Sequence, residues 1–243
     1  MNIESCIVFL DFDGVICDSV IEGFVSSWLA YYHDYLDSNL DSVKIQYKND
    51  FINLRPYIRT GEDFMLIHEL LCNNIKISNQ NEFDFHVQKS GKGKMARFKE
   101  LLHNKRKKLL KTSKEYWLSL NRIYPHMKAI IGRYSTHKNL HILSTKKSDL
   151  ILELLKSHNF EINANRVHYS CNKSKLDMIL EILQNSEIKN AVFIDDQVDH
   201  LSGNNNNNIN VYLAEWGYIK KEWLLEPKKV KTINIKQMQK LLT

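Results

Sequence analysis

The chain has 243 residues, 43% of them hydrophobic and 26% charged, with a formal net charge of +6; a chain of this length buries one substantial core, or a core with a smaller domain inserted into it. No stretch approaches the roughly 20 consecutive apolar residues that span a bilayer, and the N-terminus lacks the basic-then-apolar layout of a signal peptide, so a cytoplasmic protein with no transmembrane segment is expected. Cys6, Cys17, Cys72 and Cys171 fall in no CxxC or Cys/His spacing, which argues against a disulfide framework and against structural zinc.

The first element is the apolar run that begins at Cys6 and reads as a buried strand over 6–11, followed at once by Phe12-Asp13-Gly14. Asp11 and Asp13 then sit at and just beyond the C-terminal end of a strand, where open parallel α/β sheets place their ligands. Two acids crowded there call for a cation. Asp11 is a candidate metal ligand and nucleophile, and Asp13 a candidate proton donor to a leaving group.

From Asp18 to about Pro125 the pattern changes to long helical stretches at 19–36, 61–72 and 94–121, with no strand read among them. A helical block inserted after the first strand of an α/β core reads as a separate subdomain joined by two loops. The expected division is 1–17 with 126–243 as the core and 18–125 as the insertion. Within it, Arg55 and Arg59 lie in LRPYIRTGED and are candidates for binding an anionic substrate, with surface salt-bridging an equal reading. Residues 89–114 carry eleven basic side chains against one acid, Glu100, a local charge of +10 that leaves −4 for the rest of the chain. Such a block gathers anions: a phosphorylated substrate, nucleic acid or an anionic membrane. A solvated lysine-rich helix face explains it as well.

The second half alternates short β-rich runs at 140–143, 166–169, 191–194 and 209–213 with helical patterns at 148–158 and 174–185. That rhythm argues for βαβ units and a parallel sheet. Three further features fall at element ends. Ser144-Thr145 follows the run at 140–143, where a hydroxyl and backbone N–H groups can hold a phosphoryl oxygen. Ser174 and Asp177 have capping-box spacing, making Lys175 the first residue of a helix. A cation is disfavoured there by a few tenths of a kcal/mol unless something anionic is near. Lys175 is the preferred anion-binding lysine, with Lys173 the alternative. Asp195-Asp196 directly follow AVFI; adjacent carboxylates repel and raise one pKa unless neutralised, and an all-oxygen donor set suits Mg²⁺. The tail carries Trp216, Tyr218 and Trp223, then Ile235, Met238 and Leu242 at helical spacing.

Strand-DxDG, strand-Ser, helix-start Lys and strand-DD, in this order, resemble the four motifs of the haloacid dehalogenase-like (HAD) hydrolase superfamily, and the resemblance covers nearly the whole core. It implies a Rossmann-like parallel-sheet α/β core with an inserted α-helical cap domain of the C1 type, one that closes over the active site and selects substrates. It implies that Asp11 attacks phosphorus to form an aspartyl phosphate, and that Asp13 protonates the leaving alcohol and then activates water. Ser144 matches the phosphate-binding hydroxyl, with Thr145 beside it. Lys175 matches the lysine that steadies nucleophile and phosphate, and Asp196 the magnesium ligand, with Asp195 and Asp199 in support. The metal site so implied comprises Asp11, Asp13, Asp195 and Asp196 around Mg²⁺. The second aspartate favours phosphoryl transfer over dehalogenation. Two features depart from the common form: the lysine motif is not Lys-Pro, and the last motif reads Asp-Asp where Gly-Asp is commoner.

The expected activity is Mg²⁺-dependent hydrolysis of a phosphate monoester, on a small phosphorylated metabolite. Alternatives are action on a phosphoprotein or nucleic-acid end, phosphotransfer or mutase chemistry, and an anion-binding protein without catalysis that uses residues 89–114.

Overall fold

The computed structural model describes residues 3–36, 47–171, 173–225 and 230–242. Among the described residues, eight strands are found in chain order: β1 Ile7–Leu10, β2 Cys17–Asp18, β3 Arg122–Ile123, β4 Leu140–Ser144, β5 Val167–Tyr169, β6 Ala191–Asp195, β7 Ile209–Ala214 and β8 Lys231–Ile233. Six of them form one parallel sheet in the order β5-β4-β1-β6-β7-β8. Every residue of β1 and of β6 is buried, as expected where helices cover both faces of a parallel sheet.

The order fixes where a ligand belongs. From the central β1 the chain runs outward to β4 and β5, then returns past β1 to build β6, β7 and β8 on the other side. This is the doubly wound 3-2-1-4-5-6 order, and the crevice opens beyond the C-terminal ends of β1 and β6, where the winding reverses. Both strands of that crevice end in carboxylates.

Along β1 the side chains alternate between faces. Ile7 and Phe9 pack with Leu143, Phe193, Ile179 and Leu183, the last two from the helix Lys175–Gln184. Removing a fully buried phenylalanine from such a layer costs about 3–5 kcal/mol. The helix Ile235–Leu242 buries Met238 and Leu242, as its spacing predicted.

The chain divides into two compact units, Met1–Asp18 with Arg122–Thr243, and Ser19–Asn121. The short strands β2 and β3 pair antiparallel, Cys17 with Ile123 and Asp18 with Arg122. Both belong to the core unit, so its edges lie slightly inside the segment expected for the insertion. Two-residue strands leave no periodic signal, which is why no strand was read there.

The helical unit contains Val20–Leu29, continued by a π-helical segment Ala30–Tyr35, then Lys48–Leu54, Gly61–Cys72, Gln80–Thr112 and Lys114–Ser119. The longest of these starts fourteen residues before the expected 94. Asn79 caps it through Glu82 N at 3.0 Å, and Gly91, with φ 74° and ψ 156°, breaks its regularity. Glu22 is fully buried and ties this unit together: it accepts from Arg106 Nε and Nη2 at 2.8 and 2.7 Å, from Trp117 Nε1 at 3.1 Å and from Ser26 Oγ at 2.6 Å. Among the described residues, no helix is long and apolar enough to cross a membrane. No disulfide joins any of the four cysteines.

Candidate active site

Strand register assembles the carboxylates. Leu10 pairs with Ile194, so the next residues, Asp11 and Asp195, emerge side by side, and Asp11 N donates to Ile194 O at 2.9 Å. Asp196 follows. Oxygens of Asp11, Asp195 and Asp196, all buried, lie within 4.8 Å of one another, the one cluster of metal-ligating type among the described residues.

Lys175 enters this cluster from the first position of its helix. Its Nζ is 2.7 Å from Asp195 Oδ2 and 2.9 Å from Asp11 Oδ1. These two acids are the anionic partners that a buried cation at a helix N-terminus requires. Burial would lower the Lys175 pKa, but Asp11 and Asp195 together raise it above the usual lysine value. Ser174 caps the helix, its Oγ accepting from Asp177 N at 3.5 Å. Lys173 instead pairs with Glu181 at the surface.

The three acids are held differently. Asp195 is satisfied by protein: its Oδ1 accepts from Gln197 N at 2.8 Å, and its Oδ2 from Lys175 and from His200 Nδ1 at 3.1 Å. Burial would raise its pKa, yet Lys175 and then His200 hold it well below the usual carboxylate range. Asp196 Oδ2 accepts from Tyr218 N at 2.8 Å. Asp11 Oδ1 is buried and has the Lys175 ion pair but no hydrogen bond of good geometry. Burial raises the Asp11 pKa against the pull of Lys175.

Asp13 lies outside the three-acid cluster. Its Oδ1 accepts from Lys146 Nζ at 2.8 Å. Ser144, at the end of β4, is buried, and its Oγ accepts from Lys146 N at 3.3 Å; Thr145 stands between them, partly buried. Asp199 falls in the short helix Val198–Leu201 and is not part of the cluster.

Lys146, His200 and Gly217 were not singled out from the sequence, and Tyr218 was named only among the tail aromatics. Lys146 immediately follows Ser144-Thr145, and that position was its signal. His200 lies five residues after Asp195, too generic a spacing to read. Gly217 and Tyr218 approach from the loop after β7, and nothing local in the sequence marks that approach.

In the helical unit, Arg59 forms a two-pronged pair with Asp84, Nη1 to Oδ1 at 2.5 Å and Nη2 to Oδ2 at 2.9 Å. Arg55 is buried with its guanidinium 5.4 Å from the centre of the Phe64 ring. Both expected anion binders are thus engaged within their own unit. Of the basic block, Lys105 pairs with Asp34 at 2.8 Å, Arg106 with Glu22, and Lys94 with Glu69, while Lys89, Lys92, Lys107, Lys108 and Lys111 are exposed.

Asp11, Asp13, Asp195 and Asp196 face two ammonium groups, Lys146 and Lys175. A divalent cation would offset that difference, and oxygen donors of this kind suit Mg²⁺, which takes one or two carboxylates and keeps waters. Asp11, with its underused oxygen, and Asp196 are placed to supply them.

No family model and no curated protein matches the chain. Solved structures do. A haloacid dehalogenase-like hydrolase from Streptococcus pneumoniae is 17% identical, with 98% of each chain covered and a TM-score of 0.55. A predicted phosphatase from Clostridium acetobutylicum is 14% identical over 98% of this chain and 99% of its own, with a TM-score of 0.55. The protein tyrosine kinase A of Mycobacterium tuberculosis is 13% identical over 98% of each chain, with a TM-score of 0.54. Likeness at this identity establishes the fold, that of the haloacid dehalogenase-like hydrolases.

Proposed function

We propose that this protein is a Mg²⁺-dependent phosphomonoesterase working through an aspartyl phosphate on Asp11, with a small phosphorylated metabolite as substrate. The observation that carries the reading is Asp11 itself: a buried carboxylate with an oxygen that has no hydrogen bond, between Lys175 and two further acids, at the reversal of a doubly wound sheet. The names of the hydrolase and phosphatase with this fold agree with it.

Mg²⁺, when bound, would neutralise the phosphate dianion and the carboxylates it meets. Lys175 holds the Asp11 carboxylate against rotation and offsets charge on the transferring group, while Ser144 and the backbone after β4 bind phosphate oxygens. An Asp11 oxygen attacks phosphorus, the bond to the ester oxygen breaks, and Asp13 gives that oxygen its proton. Water then attacks the aspartyl phosphate, losing a proton to the ionised Asp13, and inorganic phosphate leaves with Asp11 restored.

A small substrate is favoured because Lys94, Lys105 and Arg106 of the basic block are engaged in pairs inside their own unit. That leaves fewer cations for a polyanion. The kinase of the same fold shows that this fold is also found in a phosphotransferase, and transfer from Asp11 to an alcohol in place of water is the second reading.

The test is hydrolysis of p-nitrophenyl phosphate and a panel of phosphorylated metabolites. Activity requires Mg²⁺, is abolished by EDTA, and falls by about 10³-fold or more in Asp11→Asn. A wild-type protein inactive across the panel with Mg²⁺ present refutes the reading.

A further inference from the structure

We propose that Lys146 is a positioning residue for proton transfer, fixing the Asp13 carboxylate so that one oxygen delivers the proton to the leaving group. The proposal rests on the phosphatase reading above and extends it to a residue outside the four motifs. Lys146 is only 3% exposed, although it is a lysine in the loop after a strand. Burying an ammonium costs several kcal/mol unless it is paired with good geometry. Here Nζ meets Asp13 Oδ1 at 2.8 Å and lies 5.6 Å from the centre of the Phe12 ring. The backbone fixes the rest: Lys146 N donates to Ser144 Oγ, so the residue that holds Asp13 also belongs to the loop expected to bind phosphate.

The chemistry follows from the donor. An ammonium only donates, so it pairs best with the Asp13 oxygen that carries no proton, the carbonyl oxygen of a protonated carboxyl and the stronger acceptor of the two. That assigns the proton to Oδ2 and fixes the direction in which it points. When the ester bond breaks, its electron pair goes to the leaving oxygen, which takes the Oδ2 proton, and Asp13 becomes an anion next to the Lys146 cation. A freely rotating Asp13 would lose this alignment, and geometry of this kind is worth orders of magnitude in rate.

The readout is leaving-group dependence of kcat/KM, which reports the steps up to formation of the aspartyl phosphate. p-Nitrophenolate departs as an anion and needs little help from an acid, whereas an alkoxide leaving from glycerol phosphate needs the proton. Lys146→Met is expected to lower kcat/KM for glycerol phosphate at least about tenfold more than for p-nitrophenyl phosphate. Asp13→Asn shows the same asymmetry, and the double variant is no worse on glycerol phosphate than Asp13→Asn alone. Lys146→Arg, which keeps a donor, recovers part of the loss. Equal losses on the two substrates, with raised KM, mean that Lys146 binds phosphate, and no loss means that it is a packing residue; either overturns the proposal. If Lys146→Met does not fold, the same comparison with Lys146→Gln decides. A wild-type enzyme inactive on both esters overturns the phosphatase reading instead, and this proposal with it.

Discussion

Asp196 is placed by the absence of side chains around it. A Cβ on Gly14 would stand 1.9 Å from Asp196 Oδ2, and one on Gly217 would stand 2.3 Å from Asp196 Cβ. Gly14 also has φ +89°, a conformation that costs other residues about 1–3 kcal/mol. Gly14→Ala should therefore both strain the turn and push Asp196 aside, with a severe loss of kcat and of Mg²⁺ affinity. Gly203 separates the two effects, since it has φ +79° and nothing within 4 Å of a built Cβ. Gly203→Ala is expected to lose similar stability in a urea melt yet keep its activity; a Gly14→Ala enzyme as active as Gly203→Ala would contradict this account of Asp196. The two glycines also show what the sequence could reveal about the site. Gly14 was legible because it follows two acids at a strand end, but Gly217 reaches Asp196 from the loop after the next strand and carries no local mark. Lys175 was legible for the opposite reason: a cation at a helix start is an anomaly, and its two acidic partners resolve it.

Elements were legible where packing imposes a period. The runs at β4, β6 and β7 and the helices after β4 and β5 follow the patterns of their residues, because a doubly covered strand must be apolar throughout and a one-sided helix must alternate. β8 is a three-residue edge strand with an exposed first residue, and Lys48–Leu54 is two turns long; such pieces are held by neighbours and not by their own composition. Inside the helical unit, His68 of the helix Gly61–Cys72 is a polar residue on an aromatic face, stacked 4.9 Å from the Phe51 ring and joined through Nε2 to Ser27 Oγ at 2.8 Å. Ser27 Oγ in turn donates to Gly23 O at 2.6 Å, which leaves it to accept from the imidazole. Burial pushes the His68 pKa down to about 3, against about 6.5 in an unfolded chain. Between these values the unfolded state binds the extra proton, so folding stability conferred by neutral His68 is complete above pH 6.5 and is lost as pH falls toward 3. Asp63, raised to about 6 by burial, works in the other direction: its folded form keeps a proton that the unfolded chain gives up. Denaturant melts of wild type and His68→Gln at a series of pH values isolate the histidine, because Asp63 is common to both. The wild-type advantage is expected to shrink by several kcal/mol from pH 6.5 downward, and parallel curves would show that His68 is not neutral in the fold.

For the molecule as a whole, the excess of negative charge in the carboxylate cluster beyond β1 and β6 links metal binding to stability. Four carboxylates against two ammonium groups, largely buried, should repel in the metal-free protein. Any cation that binds only the folded site then stabilises it by mass action, about 2.7 kcal/mol at a hundredfold excess over Kd. For a chain of this size, about 2–4 °C of melting temperature accompanies each kcal/mol. Saturating Mg²⁺ is therefore expected to raise the melting transition of the core unit by about 5–10 °C in calorimetry. Asp11→Asn makes the stronger test because it should act with opposite sign in the two conditions. In EDTA it removes an anion that burial already disfavours, while Lys175 keeps its 2.7 Å pair with Asp195, so the variant should melt at or above the wild type. With Mg²⁺ it should melt below it, having lost a ligand. A variant less stable than wild type by the same amount in both conditions would mean that Asp11 serves only to pair Lys175, and the charge balance drawn for this site would be wrong.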